Sequence, residues 1–267
     1  MSGFSADWLR LREPYDTDAR SDDFVAALQS RLPLRPLRAM DLGTGTAANI
    51  RYLAPRLTGE QLWLAVDNDA KLLAEQPADV RGAEFTCTLK PLQVDLAGEL
   101  SKLPFKECQL VTASALLDLV SASWLQQLAS HCARANATVL FALNYDGHIE
   151  CSPRDPDDDW LVGLVNRHQQ GDKGFGPALG PQAWSHALKL FDSLGYSVRA
   201  VASDWLIDAA GRDMQCGLID GWVAAACEMA GEDKKRVMEW GERRTSQALA
   251  GKSRIRVGHQ DVMAWRA

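Results

Sequence analysis

The run Asp41-Leu42-Gly43-Thr44-Gly45-Thr46-Ala47-Ala48 sets an acid and two spaced glycines where an apolar segment gives way to a helical one. Glycine lets a backbone turn tightly and approach a ligand closely. A helix starting there offers free N–H groups and a positive dipole end. Such a loop binds a nucleotide-type ligand. Gly43, Gly45 and Ala48 also satisfy the G-x-G-x-x-[GA] dinucleotide pattern. Asp41 separates the two uses, because a carboxylate two residues before the first glycine suits a ligand carrying an ammonium or sulfonium and repels a pyrophosphate. A second acid, Asp67, ends the next apolar segment, where doubly wound folds use a carboxylate to grip a ribose diol. Asp69 is placed to cap the helix that follows.

Other residues offer other chemistry. Asp118 follows a later apolar segment and can face a substrate or cap a helix. In Asn144-Tyr145-Asp146-Gly147-His148, Tyr145 and His148 are the catalytic candidates, since either can bind or deprotonate a substrate. Asp155-Pro156-Asp157-Asp158-Asp159 has the look of a metal-binding cluster. Proline and acids in a helix's first turn are better explained by capping and the dipole, so no metal site is expected. Arg167, His168 and Lys173 precede Gly174-Phe175-Gly176-Pro177, the pattern of a mobile lid. The six cysteines include no C-x-x-C spacing, which implies reduced thiols, no zinc, and a cytoplasmic location. Trp160, Trp184, Trp205 and Trp222 can line an apolar pocket, although core packing accounts for each.

Positioning these groups requires strands alternating with helices. Leu37–Leu42, Leu62–Val66, Leu89–Val94, Leu110–Ala113 and Ala137–Leu143 read as buried strands. Helical periods fall over residues 47–57, from residue 70, and over 124–132. That alternation predicts an α/β fold, doubly wound around a mostly parallel sheet. An N-terminal helical segment spans residues 1–36, with Phe24, Val25 and Leu28 at helical spacing, and Pro33 and Pro36 break the chain before the first strand. Beyond Asn144 regularity is expected to stop, and residues 144–181 and 206–252 read as cap or lid insertions in a single 267-residue domain. Ser197–Ala202 and Arg254–Val257 read as the last strands.

On Asp41, Gly43 and Gly45, with Ala47 at a third glycine position, the chain resembles the class I S-adenosylmethionine-dependent methyltransferases. The resemblance implies a seven-stranded sheet whose last two strands form an antiparallel pair. It also implies S-adenosylmethionine as cofactor, held by Asp41, Gly43, Thr44, Gly45, Asp67, Asn68, Asp95, Leu96, Ser114 and Ala115. Asp95 would accept from the adenine amino group, Leu96 would pack on the ring, and Ser114 and Ala115 would touch the methionine portion. The Asp/Asn-Pro-Pro-aromatic tetrad of enzymes that methylate nucleic-acid bases does not occur at Ser114–Leu117.

Composition narrows the acceptor. Lys plus Arg is 29 against 35 Asp plus Glu, a net charge of -6, which argues against a general nucleic-acid binder. No apolar run is long enough for a membrane span. Residues 229–267 nevertheless carry a basic surplus, which is either a solvated face or a surface for an acidic partner. The expected activity is methyl transfer to a small molecule. An NAD(P)-dependent oxidoreductase is the alternative enzyme reading, opposed by Asp41 and by the absence of a Tyr-x-x-x-Lys pair. A methyltransferase-like protein that binds cofactor without turnover is the non-enzyme alternative.

Overall fold

The computed structural model describes residues 5–32 and 36–266; Pro33, expected to break the chain, lies outside them. Nine strands among the described residues form one sheet: β1 (Leu37–Leu42), β2 (Gly59–Asp67), β3 (Asp79–Arg81), β4 (Phe85–Gln93), β5 (Leu110–Ser114), β6 (Thr138–Ser152), β7 (Ser197–Ala202), β8 (Trp205–Ile207) and β9 (Arg254–Trp265). The helices are α1 (Ala6–Ala19), α2 (Asp22–Gln29), α3 (Ala48–Leu53), α4 (Ala70–Ala74), α5 (Leu96–Glu99), α6 (Ala122–Ala135), α7 (Asp158–Gln169), α8 (Ala183–Ser193), α9 (Arg212–Met229) and α10 (Lys234–Leu249). None of them is long and apolar enough to cross a membrane.

The sheet order is β3-β4-β2-β1-β5-β6-β9-β7, with β8 also on β9. β4, β2, β1, β5 and β6 run parallel, and β9 enters antiparallel between β6 and β7. The expected count of seven strands is therefore corrected to nine. The additions, β3 and β8, are three residues each, too short to show a period of two in the sequence.

Alternation along the strands divides the core, because successive side chains point to opposite faces. Met40, Leu42, Val111, Ala113, Val139 and Phe141 pack with α6 and α8 on one face. Leu37, Ala39, Leu110, Leu140 and Met263 pack with α2 and α3 on the other. A third cluster joins Tyr145, Trp205 and Ile255 to α7, α9 and α10.

The loss of regularity expected from Asn144 does not occur there. β6 continues to Ser152, paired with a β9 that itself runs on to Trp265. Register shifts between Phe141 and Asn144 and between Tyr145 and Ile149 bend it, and Leu143 takes a φ of 53° at the first. Asn144 is fully buried there, its Nδ2 donating to the Phe141 and Gln260 carbonyls. The polar run from Asn144 to His148 hid this strand from a reading based on hydrophobicity. Irregular chain then surrounds α7 up to residue 181.

Candidate functional site

The β1–α3 loop winds through the left-handed region at Gly43 (φ 63°), Gly45 (φ 52°) and Ala47 (φ 66°). The Thr44 N–H donates to the Val66 carbonyl (3.0 Å), which pins the loop to the end of β2. A Cβ on Gly45 would stand 3.1 Å from the Leu9 side chain of α1, so a larger residue there would push α1 off the loop. Gln76 Nε2 donates to the Gly45 carbonyl at 2.7 Å.

The acids converge on this loop. Asp67 Oδ2 accepts the Gly45 N–H at 2.8 Å, and its Oδ1 accepts the Asp69 N–H at 3.0 Å. Asp69 caps α4, accepting from the Lys71 and Leu72 N–H groups. Asp41 is buried, and its Oδ1 accepts from Asn49 Nδ2 (2.7 Å) and Thr112 Oγ1 (2.6 Å). Its Oδ2 has no partner. Burial raises the Asp41 carboxyl above its ordinary range, while the side chains of Thr112, Asn49 and Thr44 and the Arg20 charge pull it down.

A buried polar chain runs outward from Asp41. Asn49 Oδ1 accepts from Arg20 Nη1 (2.9 Å), and Arg20 Nε donates to Asp261 Oδ2 (2.9 Å). Asp261 Oδ1 in turn accepts from the Leu143 N–H and from Ser203 Oγ, each at 2.7 Å. The Arg20 guanidinium also lies over Tyr52, 4.5 Å from the ring centroid. The end of α1 is thereby tied to the loop helix α3 and to β9. Along α1, Trp8 packs so closely on Gly217 of α9 that a Cβ there would come within 2.8 Å of its ring. A narrow cleft remains between α1 and the strand ends, lined by Glu13, Asp16, Thr17, Arg20, Asn49 and Ser114 among others.

The remaining expected cofactor residues take these positions. Asn68 is exposed and its carbonyl accepts from Gln93 Nε2. Asp95 caps α5 through Oδ1, accepting the Ala97 N–H at 3.0 Å, while Leu96 is buried in the core. Ser114 and Ala115 are half-buried where β5 ends, and the Ala115 N–H donates to the Ala142 carbonyl. Asp41, Gly43, Thr44, Gly45, Asp67 and Ser114 thus come together around the loop and its cleft.

The two catalytic candidates part company. Tyr145 is buried, its hydroxyl donates to Asn166 Oδ1 at 2.7 Å, and burial raises its phenol well above the ordinary value. His148 is exposed (79% of its side chain) and pairs with Asp146 at 3.0 Å, away from the buried cluster. Sequence reasoning missed His259. It lies directly across from Tyr145 on β9, is buried, and hydrogen-bonds the Val257 carbonyl through Nδ1 (3.0 Å). Burial and the nearby Arg12 charge push it down to about 4, so the imidazole is neutral. Gly258-His259-Gln260-Asp261 shows no alternation that would have marked it as a strand residue.

The acidic run before α7 is held by α10. Arg236 and Arg243 bind Asp157, Arg243 binds Asp155, and Arg244 binds Asp158. Arg243 and Arg244, the leading residues of the basic surplus, are therefore committed to internal ion pairs.

The sequence matches no family model and no curated protein. Solved structures do match. The cyclopropane synthase MmaA2 from Mycobacterium tuberculosis is similar with a TM-score of 0.51 and 11% identity, over 98% of this chain and 94% of that one. The mycolic acid cyclopropane synthase CmaA1, solved with SAH and CTAB, has a TM-score of 0.50 and 12% identity over the same shares. With this sheet order and these neighbours, the chain has the fold of the class I S-adenosylmethionine-dependent methyltransferases.

Proposed function

We propose that this chain is an S-adenosylmethionine-dependent methyltransferase that acts on a small-molecule acceptor. The observation carrying the reading is Asp41, a buried carboxylate beside the glycine loop with one oxygen left unpartnered. A buried charge without full compensation favours a ligand that brings the opposite sign, and it would repel the pyrophosphate of a nicotinamide dinucleotide. The fold neighbour solved with SAH supports the choice of cofactor.

When bound, S-adenosylmethionine supplies an electrophilic methyl group on a sulfonium centre. The chain's part is to hold and orient it and to exclude water. Asp67 would accept from the ribose hydroxyls while keeping its bond to Gly45, since each carboxylate oxygen can take a second donor. Gly43 and Gly45 permit close approach, flanked by Thr44. Asn68 follows Asp67 at the rim, and Ser114 and Ala115 stand at the end of β5. Asp95, whose Oδ1 caps α5, would be the adenine contact through its second oxygen, beside Leu96. Leu9 on Gly45 closes the loop from above. Tyr145 would wall the acceptor side beneath α7, α9 and α10, and His148 has no part in the scheme. We place the enzyme in the cytoplasm, where its six unpaired cysteines persist as thiols.

Calorimetric titration tests this directly. S-adenosylhomocysteine is expected to bind and NAD is not; binding of NAD alone would sink the proposal. Asp67→Ala removes a charged acceptor and is expected to weaken S-adenosylhomocysteine by about 10- to 100-fold.

A further inference from the structure

We propose that Asp118 is the anchor for the acceptor and that the acceptor is a small amine; this rests on the methyltransferase reading for its chemistry but not for its binding test. Asp118 lies just after β5 and is 7% exposed. It does not cap α6, because Ser121 does so by accepting the Trp124 N–H. Among the described residues its Oδ1 has no hydrogen-bond partner. An ionised carboxylate in that state is costly unless a ligand completes it.

The charges around it do not cancel. Arg12 of α1 is the nearby cation, but its Nε is bound to Asp16 Oδ2 at 2.9 Å, both side chains being largely buried. Asp16 also accepts from Trp205 Nε1, and Trp205 lies beneath the Arg12 guanidinium. Tyr145 is neutral and engaged with Asn166. His259 is neutral, with its Nε2 without a partner among the described residues. Arg12, Asp16, Asp118, Tyr145 and His259 together therefore leave one negative charge and two open acceptor atoms.

The missing partner must be positive and must donate hydrogen bonds. A sulfonium has no hydrogen to donate, so the cofactor alone does not complete Asp118. An ammonium satisfies both conditions, donating to Asp118 Oδ1. The same placement suits transfer. The bound ammonium would first release one proton to solvent. The freed lone pair would then form a nitrogen–carbon bond as the cofactor's carbon–sulfur bond breaks, so that the positive charge passes from sulfur to nitrogen and the neutral thioether leaves. A carboxylate beside that nitrogen favours the charge where it develops, and a neutral His259 adds no opposing charge.

The groups facing Asp118 are Arg12 from α1, Tyr145 from β6 and its own backbone. Burial raises Asp118 to about 6, whereas His259 is pushed down to about 4 and the Tyr145 phenol is raised; Asp16, paired with Arg12, is also raised by burial. Amine binding is therefore expected to weaken by about tenfold per pH unit as pH falls below that value.

The test is calorimetry on the cofactor-free protein with a panel of small primary and secondary amines and the matching alcohols, for wild type and Asp118→Asn. At least one amine is expected to bind wild type, its alcohol not, and Asp118→Asn to lose tenfold or more. A panel that does not bind, alcohols that bind as well, or affinity unchanged in Asp118→Asn each overturns the proposal. Thermal melting above pH 7 controls for folding: Asp118→Asn removes an unpaired buried charge and is expected to melt no lower than wild type. Amine binding without S-adenosylhomocysteine binding would defeat the methyltransferase reading while leaving the amine site standing. S-adenosylhomocysteine binding without amine binding would do the reverse.

Discussion

Asp261→Ala is expected to lower folding stability by about 3–5 kcal/mol, the cost of breaking a buried ion pair by removing one partner. The Asp261 and Arg20 side chains are 1% and 4% exposed, so water cannot replace the missing carboxylate. The substitution also strips the acceptor from the Leu143 N–H at the bend of β6 and from Ser203. Arg20 would then pull on Asn49, which orients Asp41. Cofactor affinity should therefore fall along with stability. Urea denaturation measures the first, and titration with S-adenosylhomocysteine in native buffer the second. Replacing both partners, as in Arg20→Met with Asp261→Leu, is expected to recover part of the stability, because an apolar pair of similar volume leaves no buried charge. Full recovery is not expected, since Leu143 and Ser203 still lack an acceptor. A loss under about 1 kcal/mol in the single variant would mean that the pair behaves as if solvated.

Arg244→Ala is expected to cost a similar amount, about 3–5 kcal/mol, while Arg243→Ala, one residue earlier, costs about 1 kcal/mol or less. The Arg244 side chain is fully buried; it binds Asp158 through Nε and Nη2 and the Pro153 carbonyl and Gln247 through Nη1. Its loss strands a buried carboxylate against Trp240, which donates to the same Asp158. Arg243 is 43% exposed, and its partners Asp155 and Asp157 keep other contacts: backbone N–H groups for Asp155 and Arg236 for Asp157. Chemical denaturation of the two variants side by side checks the contrast. Equal losses would show that burial does not set the value of these pairs.

These neighbouring arginines show where sequence reading stopped. Both belong to the basic surplus of residues 229–267, which suggested a solvated or partner-binding face. Their partners lie at the start of α7 and just before it, more than eighty residues earlier, and nothing in the period of α10 points there. Arg20 and Asp261 are farther apart still. Elements with local signals fared better. β1 and β7 fall on their expected bounds, because apolar spacing and flanking turns are local properties. β6 ran long because its extension beyond Leu143 is mostly polar and is held by pairing with β9, and β9 ran past Val257 because the polar stretch Gly258–Asp261 separates it from the apolar run Val262–Trp265.

Composition, the glycine loop and the acids closing the first two strands were enough to establish a doubly wound sheet with a ligand loop at its C-terminal edge. Those features are set by backbone geometry and by charge a few residues away. The tertiary structure alone decided which of the 35 acids are compensated. Asp155, Asp157, Asp158 and Asp261 met arginines and became structural. Asp41 and Asp118 were buried with an oxygen left open. The reason is physical: the free energy of a carboxylate depends on the groups within a few ångströms and on whether water reaches it. Both are fixed by packing between distant segments.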